Sequence, residues 1–405
     1  MTTSTAFDTE NIEKETQEGY SSMLLDNQLV SIYTHDVHES AQAISLLTNY
    51  MTNLSGSFFP FLEQTIRVIG DRLNHYTIDL ASTSLAACPS IIKVAMAASF
   101  PSDSEKKAYV DQVLAFLLPK ILKSLSDSEA DHEIASCCRS IEGIFRSLGP
   151  GNLSDEHGNS IITIILNLLN KLLHSQEQVD EEDAPEAGAL EDDDQASLFI
   201  TLVECLGTIA VGMSDRFIKI FANIWPAFSQ MLTTYQPSEK ADVTFSHNTT
   251  MDDVAVLRVQ TSLCLLDDVI DHCGSSAVPV VVEALPFFLR FMSYPSEQVK
   301  QAAVYGAAIS AFKYPEQSRP FIQNISNNLL ALAQRPKVRS KKNDGTTDNV
   351  VSGLLRLSMA FPDTCPPANV WPLLMKLLPI KSDVVEVKFV YNILLEIIGN
   401  KQCLG

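Results

Sequence analysis

The chain has neither an apolar run long enough to span a membrane nor a secretory signal. No stretch reaches the roughly 18 consecutive apolar residues of a transmembrane helix. Residues 161–173 come nearest, but two asparagines and a lysine interrupt them. The N-terminus, Met-Thr-Thr-Ser-Thr, has no basic segment and no apolar core. We therefore expect an intracellular protein that is not inserted in a membrane.

Motifs for catalysis and for metal binding are also missing. The sequence contains no P-loop, no Gly-x-Ser-x-Gly elbow and no His-Glu-x-x-His pair. Its eight cysteines lack the spacing of metal ligands, so we expect reduced, buried thiols. His35 and His38 lie three residues apart, but no third ligand follows at a suitable spacing. The sequence predicts no enzyme, no cofactor and no metal site.

Positive charge is scarce. The chain has 29 Lys and Arg against 49 Asp and Glu, a net charge of −20, which disfavours nucleic acid and favours basic partners. Half of this excess lies in Glu177–Asp194, which holds ten acidic residues and no basic one. Because such a segment cannot bury a core, we predict an acidic loop over residues 177–195. It is either simply solvated or a flexible arm that engages a basic partner.

Strand signals are few, and from His35 onward the apolar residues recur with the period of a helix. Glu297–Phe312 follows Ser296, a residue suited to an N-cap, and is rich in alanine and glycine, which let a neighbouring helix approach. Val280–Met292, just upstream, is a second apolar helix that contains Pro286. The two together predict one helical hairpin.

This hairpin pattern recurs along the chain. Ala284-Leu-Pro286 matches Asn324-Ile-Ser326 at an offset of 40 residues. Periods of about 40–47 residues with two helices each are typical of HEAT repeats, whose open apolar faces are buried by stacking. We therefore predict an all-α, right-handed HEAT-repeat solenoid (an α-α superhelix) of roughly eight helical hairpins. The predicted organisation is a polar tail at 1–19 and a solenoid at 20–405, with the acidic loop 177–195 and a basic loop 335–346 inserted.

Four short strings carry a family resemblance. They are Leu266-Asp-Asp-Val-Ile-Asp-His-Cys273, Val299-Lys-Gln-Ala-Ala-Val-Tyr-Gly306, Ser318-Arg-Pro-Phe321 and Thr347-Asp-Asn-Val-Val-Ser352. They resemble Phe-Asp-Asp-Val-Ile-Glu-His-Cys, Val-Arg-Gln-Ala-Ala-x-Tyr-Gly, Tyr-Arg-Pro-Phe and Thr-Glu-Asn-x-Ile-Ser of the importin-β (karyopherin-β) family, most closely its karyopherin-β3 (importin beta-3) branch.

The resemblance implies a nuclear transport receptor that shuttles between cytoplasm and nucleus through the nuclear pore. Its implied partners are basic nuclear-localisation segments of cargo and Phe-Gly nucleoporins. Family members are about twice this length, and the chain resembles their C-terminal half. The N-terminal repeats that carry most Ran-GTP binding have no counterpart, so Ran-GTP binding stays open. The alternative is a HEAT-repeat scaffold that assembles a multiprotein complex without transport.

Acidic residues on the second helices of the hairpins are the candidate site. In a HEAT solenoid these helices line the concave face, and the resemblance implies that acids there meet basic cargo. A merely solvated acidic face is the other interpretation of Asp267, Asp268 and Asp271. Asp348 and Asn349 open another such helix and either cap it or bind peptide backbone. The predicted cargo-binding residues are Asp267, Asp268, Asp271, Asp348, Asn349 and Glu142.

Three further features each have a structural or a functional interpretation. The basic run Arg335–Lys342 looks like a nuclear localisation signal, but it is either solvated or docked on the acidic loop of the same chain. His272 lies near a helix end, where a cation would complement the helix dipole. Aromatic residues of the first helices either pack in the core or frame pockets for Phe-Gly repeats: Phe58, Phe59, Phe287 and Phe288.

Overall fold

The computed structural model describes residues 20–25, 28–174, 188–235 and 251–399. The predicted polar tail, residues 1–19, lies outside the described residues. The chain divides into two compact units, Met1–Leu148 and Gly149–Gly405, which are described separately below.

The first unit opens with a β-hairpin. Strands β1 (Tyr20–Leu25) and β2 (Gln28–Tyr33) pair antiparallel, with Tyr20 opposite Tyr33. We had assigned this region to the helical solenoid. The strand-forming signal lies in apolar residues on both sides of Asp26-Asn27, a pair of residue types common in turns.

Five helices follow in the first unit: α1 (Thr34–Leu54), α2 (Phe59–Gly70), α3 (Ile78–Ala97), α4 (Asp103–Asp127) and α5 (Asp131–Leu148). Helix α3 packs against α1 on one side and α5 on the other. Ser102 caps α4, because its hydroxyl accepts the backbone N–H of Glu105 at 3.2 Å. A close approach of α5 to α3 needs Gly143, where a Cβ would lie 2.5 Å from the ring of Pro89.

The second unit contains eleven described helices: α6 (Asp155–His174), α7 (Gly188–Met213), α8 (Ile218–Thr234), α9 (Met251–His272), α10 (Val278–Phe291), α11 (Glu297–Lys313), α12 (Pro315–Ser318), α13 (Ile322–Gln334), α14 (Asp344–Ala360), α15 (Pro367–Leu377) and α16 (Val384–Gly399). Short 3-10 turns lead into α2, α8, α10 and α13.

The helices of the second unit form two layers. The second helices of the pairs, α7, α9, α11, α14 and α16, pack in succession, and the first helices α6, α8, α10 and α13 pack against their own partners. Over both units the described helices make seven successive pairs, with α1 ahead of them. This arrangement confirms the all-α HEAT-repeat class.

Helix α11 shows why the hairpins can stack so closely. It packs between α9 and α14, and its small residues are buried as predicted: Ala302, Ala303, Gly306, Ala307 and Ala308. Because these residues project little or no side chain, the backbones of the neighbouring helices can approach one another. The alanine-rich run of α11 is therefore a core element of the second unit.

The two predicted loops differ from expectation where the structure describes them. Helix α7 begins at Gly188, so the last part of the predicted acidic loop 177–195 is helical, and residues 175–187 lie outside the described residues. In the basic run, Arg335 and Arg339 turn inward onto Glu297 and Asp348. Buried acids require such counter-charges. The exposed residues of the run are one proline and three lysines: Pro336, Lys337, Lys341 and Lys342.

Three described segments are long and apolar enough to cross a membrane by length and composition: Ile78–Ala97, Ala196–Thr234 and Gly274–Phe291. None of them is an unbroken apolar run. Each supplies core residues to its helical pair, and helices packed on several sides are expected to be apolar on several faces.

Candidate functional site

A cavity of about 380 Å³ opens between the second helices of the second unit. Its wall includes Asp267, Asp268 and Asp271 from α9, Tyr305 from α11, Asn349 from α14, and Asp383, which directly precedes α16. Four of the six residues predicted to bind cargo therefore meet at one site. The cavity is rich in carboxylates and amides.

Asp267 is the most deeply placed of these acids. Its side chain is only 6% exposed, and its Oδ1 atom is buried without a hydrogen-bond partner. A Cβ on Gly306 would lie 2.3 Å from this oxygen, so the carboxylate occupies space left by that glycine. Burial, and then the charges of Asp268 and Asp271, raise the pKa of Asp267 well above its usual range.

Asp268 is half-buried against the neighbouring helix on the other side. A Cβ on Gly207 of α7 would lie 2.2 Å from its Oδ2 atom. Two adjacent acids of α9 thus lie against glycines of the two flanking helices, Gly207 and Gly306. The glycines let α7, α9 and α11 approach closely enough to enclose the carboxylates.

Asp271 has a cationic partner within the chain. Lys313 forms an ion pair with its carboxylate, and the Tyr305 hydroxyl donates to its Oδ2 atom at 3.2 Å. Lys313 also donates to the backbone carbonyl of Asp271, at the C-terminal end of α9. We had assigned the cation at this helix end to His272, but burial lowers the pKa of His272 even though Asp271 opposes the shift. Lys313 therefore supplies the positive charge there.

Asn349 places an amide in the cavity wall. Its side chain is 2% exposed, and its Oδ1 atom is buried without a hydrogen-bond partner. Its side chain also hydrogen-bonds to Asp383, so the amide N–H is the donor in that contact. Asp383 in turn caps α16, accepting the backbone N–H of Val385 at 3.1 Å and of Glu386 at 3.3 Å.

Asp348 lies next to Asn349 in sequence but is not part of the cavity wall. It is fully buried, and its Oδ1 atom accepts from Arg339 at 2.5 Å. Its Oδ2 atom accepts three backbone N–H groups, those of Lys381, Ser382 and Asp383, at 2.6–3.0 Å. Burial alone would raise the pKa of Asp348, but these hydrogen bonds outweigh it and the pKa is lowered.

This geometry corrects one sequence-based interpretation of Asp348, because helix α14 begins at Asp344 and Asp348 therefore does not cap it. Its buried oxygens are bound within the chain, and a contact of Asp348 with a cargo peptide stays a prediction. Asp348 fixes the segment that leads into α16, and so positions Asp383 at the cavity.

A buried ion pair that we did not anticipate supports one side of the cavity. Glu386 lines the wall, and its carboxylate binds Arg356 through both terminal nitrogens, at 2.5 and 3.1 Å. The guanidinium lies 4.0 Å from the ring centroid of Phe389. The spacing of Asp383 and Glu386 at the start of α16 is a capping signature that could have drawn attention to them. Nothing in the sequence links Glu386 to Arg356.

Glu142, the remaining predicted site residue, lies on α5 in the first unit and not at this cavity. Its side chain is buried and pairs with Arg146 at 3.3 Å. A role in binding cargo stays a prediction for this residue.

Three potential metal ligands come together at the start of α1, and they include His35 but not His38. Donor atoms of His35, Asp36 and Glu39 lie within 4.8 Å of one another, and all three residues are exposed. His38 instead contacts Gln42 at 2.9 Å. In the described part of the chain the cysteines are free thiols, buried except for Cys264.

Comparison with known proteins identifies relatives by sequence. No family model matches the chain. Importin subunit beta-3 of Saccharomyces cerevisiae is 19% identical over 379 residues, which cover 92% of this chain and 32% of the relative. Human importin-4 is 22% identical over 349 residues, which cover 82% of this chain and 29% of the relative. The chain thus spans about a third of the length of these relatives, less than the half that the resemblance suggested.

The fold of the chain is also that of a solved relative. The structure of Kap121p bound to RanGTP matches with a TM-score of 0.74 at 15% identity, over 98% of this chain and 35% of that one. Kap121p bound to Nup53p matches with a TM-score of 0.71, also at 15% identity, over 97% and 34% of the two chains. Two importin relatives over most of the chain, together with this shared HEAT-repeat fold, make the chain similar to the importin-β (karyopherin-β) family.

Proposed function

We propose that the chain is part of a nuclear transport receptor that binds basic segments of cargo proteins in the acidic cavity. The observation that carries this proposal is a pair of buried acceptors without partners, Oδ1 of Asp267 and Oδ1 of Asn349, at a wall that also holds Asp268, Asp271 and Asp383. A protonated amine brings donors and positive charge and no acceptor, so it complements this wall.

The size of the cavity favours an organic cation over a metal ion. Its volume of about 380 Å³ is far larger than the ~30 Å³ that one water molecule occupies in the liquid. Within the described residues, the acids of this wall do not bring three donor atoms within 4.8 Å of one another. An extended side chain with a terminal cation, as in lysine or arginine, fits both observations.

The named relatives support the wider role. Kap121p has been solved with RanGTP, with Nup53p, and with Ste12p, Pho4p and Ulp1p. By analogy we assign this chain cargo and nucleoporin partners, possible binding of RanGTP, and shuttling between cytoplasm and nucleus. The function is stoichiometric binding rather than catalysis. Because the chain spans about a third of the relatives, each of these partners needs its own test.

The aromatic residues singled out in the sequence do not support an open Phe-Gly pocket. Phe58 and Phe288 are buried in the core. Phe59 packs on Phe100 and Tyr109, with both ring centroids 5.2 Å away, and Phe287 packs edge-on against a tryptophan. Phe59 and Phe287 are half-buried in these ring contacts, so the proposal assigns no nucleoporin site to any of the four residues.

The proposal is tested by the affinity of a lysine-bearing peptide, acetyl-Ala-Lys-Lys-Ala-Lys-Ala-amide, at 50 and 200 mM salt. We expect binding that weakens with salt, since screening reduces charge attraction. Binding should weaken strongly in Asp268→Lys. Binding should be unchanged in Asp363→Lys, because Asp363 is an exposed acid away from the cavity wall. A third variant, Glu142→Gln, tests the cargo-binding role predicted for Glu142 on α5.

Salt-independent binding, or equal loss in the two lysine variants, would contradict the proposal. Binding of Phe-Gly peptides separates transport from the scaffold alternative, because a scaffold has no reason to bind them.

A further inference from the structure

Acids outnumber cations around the cavity, and Asp267 is a buried acid of its wall with no cationic partner in the described part of the chain. Asp271 pairs with Lys313, and Glu386 pairs with Arg356. No hydrogen bond or ion pair reaches Oδ1 of Asp267 in the described part of the chain, although its side chain is almost entirely buried. An isolated carboxylate in such a place is strongly disfavoured unless it gains a cation or a proton.

The titratable and charged groups that surround Asp267 come from every helix packed around the cavity. They are Cys264, Asp268, Asp271 and His272 on its own helix, Glu204 on α7, Tyr305 and Lys313 on α11, Arg356 on α14, and Asp383 and Glu386 at the start of α16. Helix α10 contributes only the apolar ring of Phe288 beside Gly306. The acids outnumber the cations in this set, and both cations already bind other acids.

We propose that Asp267 carries a proton while the cavity is empty and releases it when a cationic side chain of a partner enters. This inference rests on the proposed function, since it describes how the same cavity would be regulated. The carboxylate oxygen has no other source of positive charge within the described chain. An entering cation supplies that positive charge and stabilises the ionised carboxylate, so the proton is released.

The exchange is balanced in atoms and in charge. The O–H bond of the Asp267 carboxyl group breaks, its proton passes to solvent, and the incoming ammonium group donates a hydrogen bond to the carboxylate. One positive charge leaves as one enters, so the net charge of the cavity is unchanged. The raised pKa of Asp267, caused by burial and then by Asp268 and Asp271, agrees with this assignment.

Proton release makes binding depend on pH in a defined direction. The pKa of Asp267 is raised in the empty cavity and falls when a cation binds. The affinity for the cation therefore rises with pH between the pKa of Asp267 in the complex and its pKa in the empty cavity. The limiting slope is about tenfold per pH unit for one proton. Burial lowers the pKa of His272 and raises that of Tyr305, and the loss of proton release in Asp267→Asn separates Asp267 from both groups.

The test is calorimetric titration of the whole chain with the lysine peptide in phosphate and in Tris at one pH. Because the two buffers differ in ionisation enthalpy, the difference in measured heat gives the number of protons released. We expect about one proton per peptide for the wild type and none for Asp267→Asn. Asp363→Asn, at an exposed acid outside the cavity wall, is the matched control and should still release one.

A wild type that releases no proton, or an Asp267→Asn variant that releases as many as the wild type, would overturn the inference. Circular dichroism of both variants confirms that they are folded before they are compared.

A second measurement keeps this inference distinct from the proposed function. In the peptide-free protein, the ¹³C resonance of the Asp267 carboxyl group is assigned by its absence in Asp267→Asn and followed with pH. We expect it to titrate above the ordinary aspartate value of about 3.9. Titration near that value overturns the inference even if the peptide binds. If Asp267 titrates above the ordinary value but the peptide does not bind, Asp267 is protonated in the empty cavity, whereas the proposed function and the release step are refuted.

Discussion

The carboxylate of Asp267 occupies the space that a side chain at Gly306 would need. A Cβ on Gly306 would lie 2.3 Å from Oδ1 of Asp267 and 2.2 Å from the ring of Phe288. The glycine therefore does more than bring α9 and α11 together, because it also makes room for a buried acid at the cavity. This relationship connects the packing of the repeats to the chemistry of the candidate site.

Replacing Gly306 with alanine should destabilise the protein and displace Asp267. The added methyl group clashes with a packed ring and a carboxylate, and overpacking a core typically costs about 1–3 kcal/mol. The free energy of unfolding from urea titration measures this. Gly345→Ala is the matched control, since its Cβ meets only the flexible end of Gln301. Equal stability of the two variants would show that the Gly306 contact is not tight.

Replacing Asp348 with asparagine should be among the most destabilising single changes in the second unit. It removes the buried partner of Arg339 and disturbs acceptance of three backbone N–H groups. Breaking such a buried pair costs about 3–5 kcal/mol. Asp363→Asn, at an exposed acid, should change stability by less than about 0.5 kcal/mol.

The stability lost in Asp348→Asn should also depend on pH. The pKa of Asp348 is lowered in the folded state. Its contribution to the free energy of unfolding is therefore fully present above the unfolded-state pKa of about 3.9, and it is lost as the pH falls through the folded-state pKa. The difference between wild type and Asp348→Asn should therefore shrink in acid. A difference that grows in acid would contradict this account.

Replacing Asp267 with asparagine should have the opposite pH dependence. The folded-state pKa of Asp267 is raised, so the wild type loses stability as the pH rises from about 3.9 towards the folded value. Asparagine is neutral throughout. The variant should gain stability relative to wild type as the pH rises, by at most about 1.4 kcal/mol per pH unit. Urea unfolding from pH 4 to 8 measures this, and a flat difference would indicate an ordinary, solvated Asp267.

Removing one partner of the Arg356–Glu386 pair should lower the free energy of unfolding much more than replacing both partners with apolar residues. Glu386→Leu leaves a buried guanidinium without its partner and should cost about 3–5 kcal/mol. The double variant Arg356→Met with Glu386→Leu removes both charges and should recover most of that loss. A double variant no more stable than the single one would show that packing on Phe389, rather than charge, dominates.

The helices and the repeat class could be predicted from the sequence, because they depend on local periodicity. The alanine-rich run of α11 and the capping serine of α4 are examples in which neighbouring residues suffice. Asp267, Asp268 and Asp271 could likewise be placed together, since they share two turns of one helix. The hairpin β1–β2 was missed because its short apolar runs lack a helical or strand period strong enough to read alone.

The environment of the acids could not be predicted, because it is created by residues from other repeats. Gly306 and Gly207, which receive Asp267 and Asp268, lie 39 and 61 residues away from them in sequence. The backbone N–H groups bound by Asp348 lie more than 30 residues further along. Sequence patterns show that an acid is present, whereas only the stacking of repeats decides whether it is solvated, paired or buried alone.

The most direct test of the central claim is a double-mutant cycle between the chain and its peptide. Asp267→Asn is combined with replacement of each peptide lysine in turn by norleucine, and the binding free energies are measured at low salt. If a lysine enters the cavity, one position should couple to Asp267 by at least about 1.5 kcal/mol, the lower end for close charge pairs. Coupling within error of zero at every lysine would contradict the account.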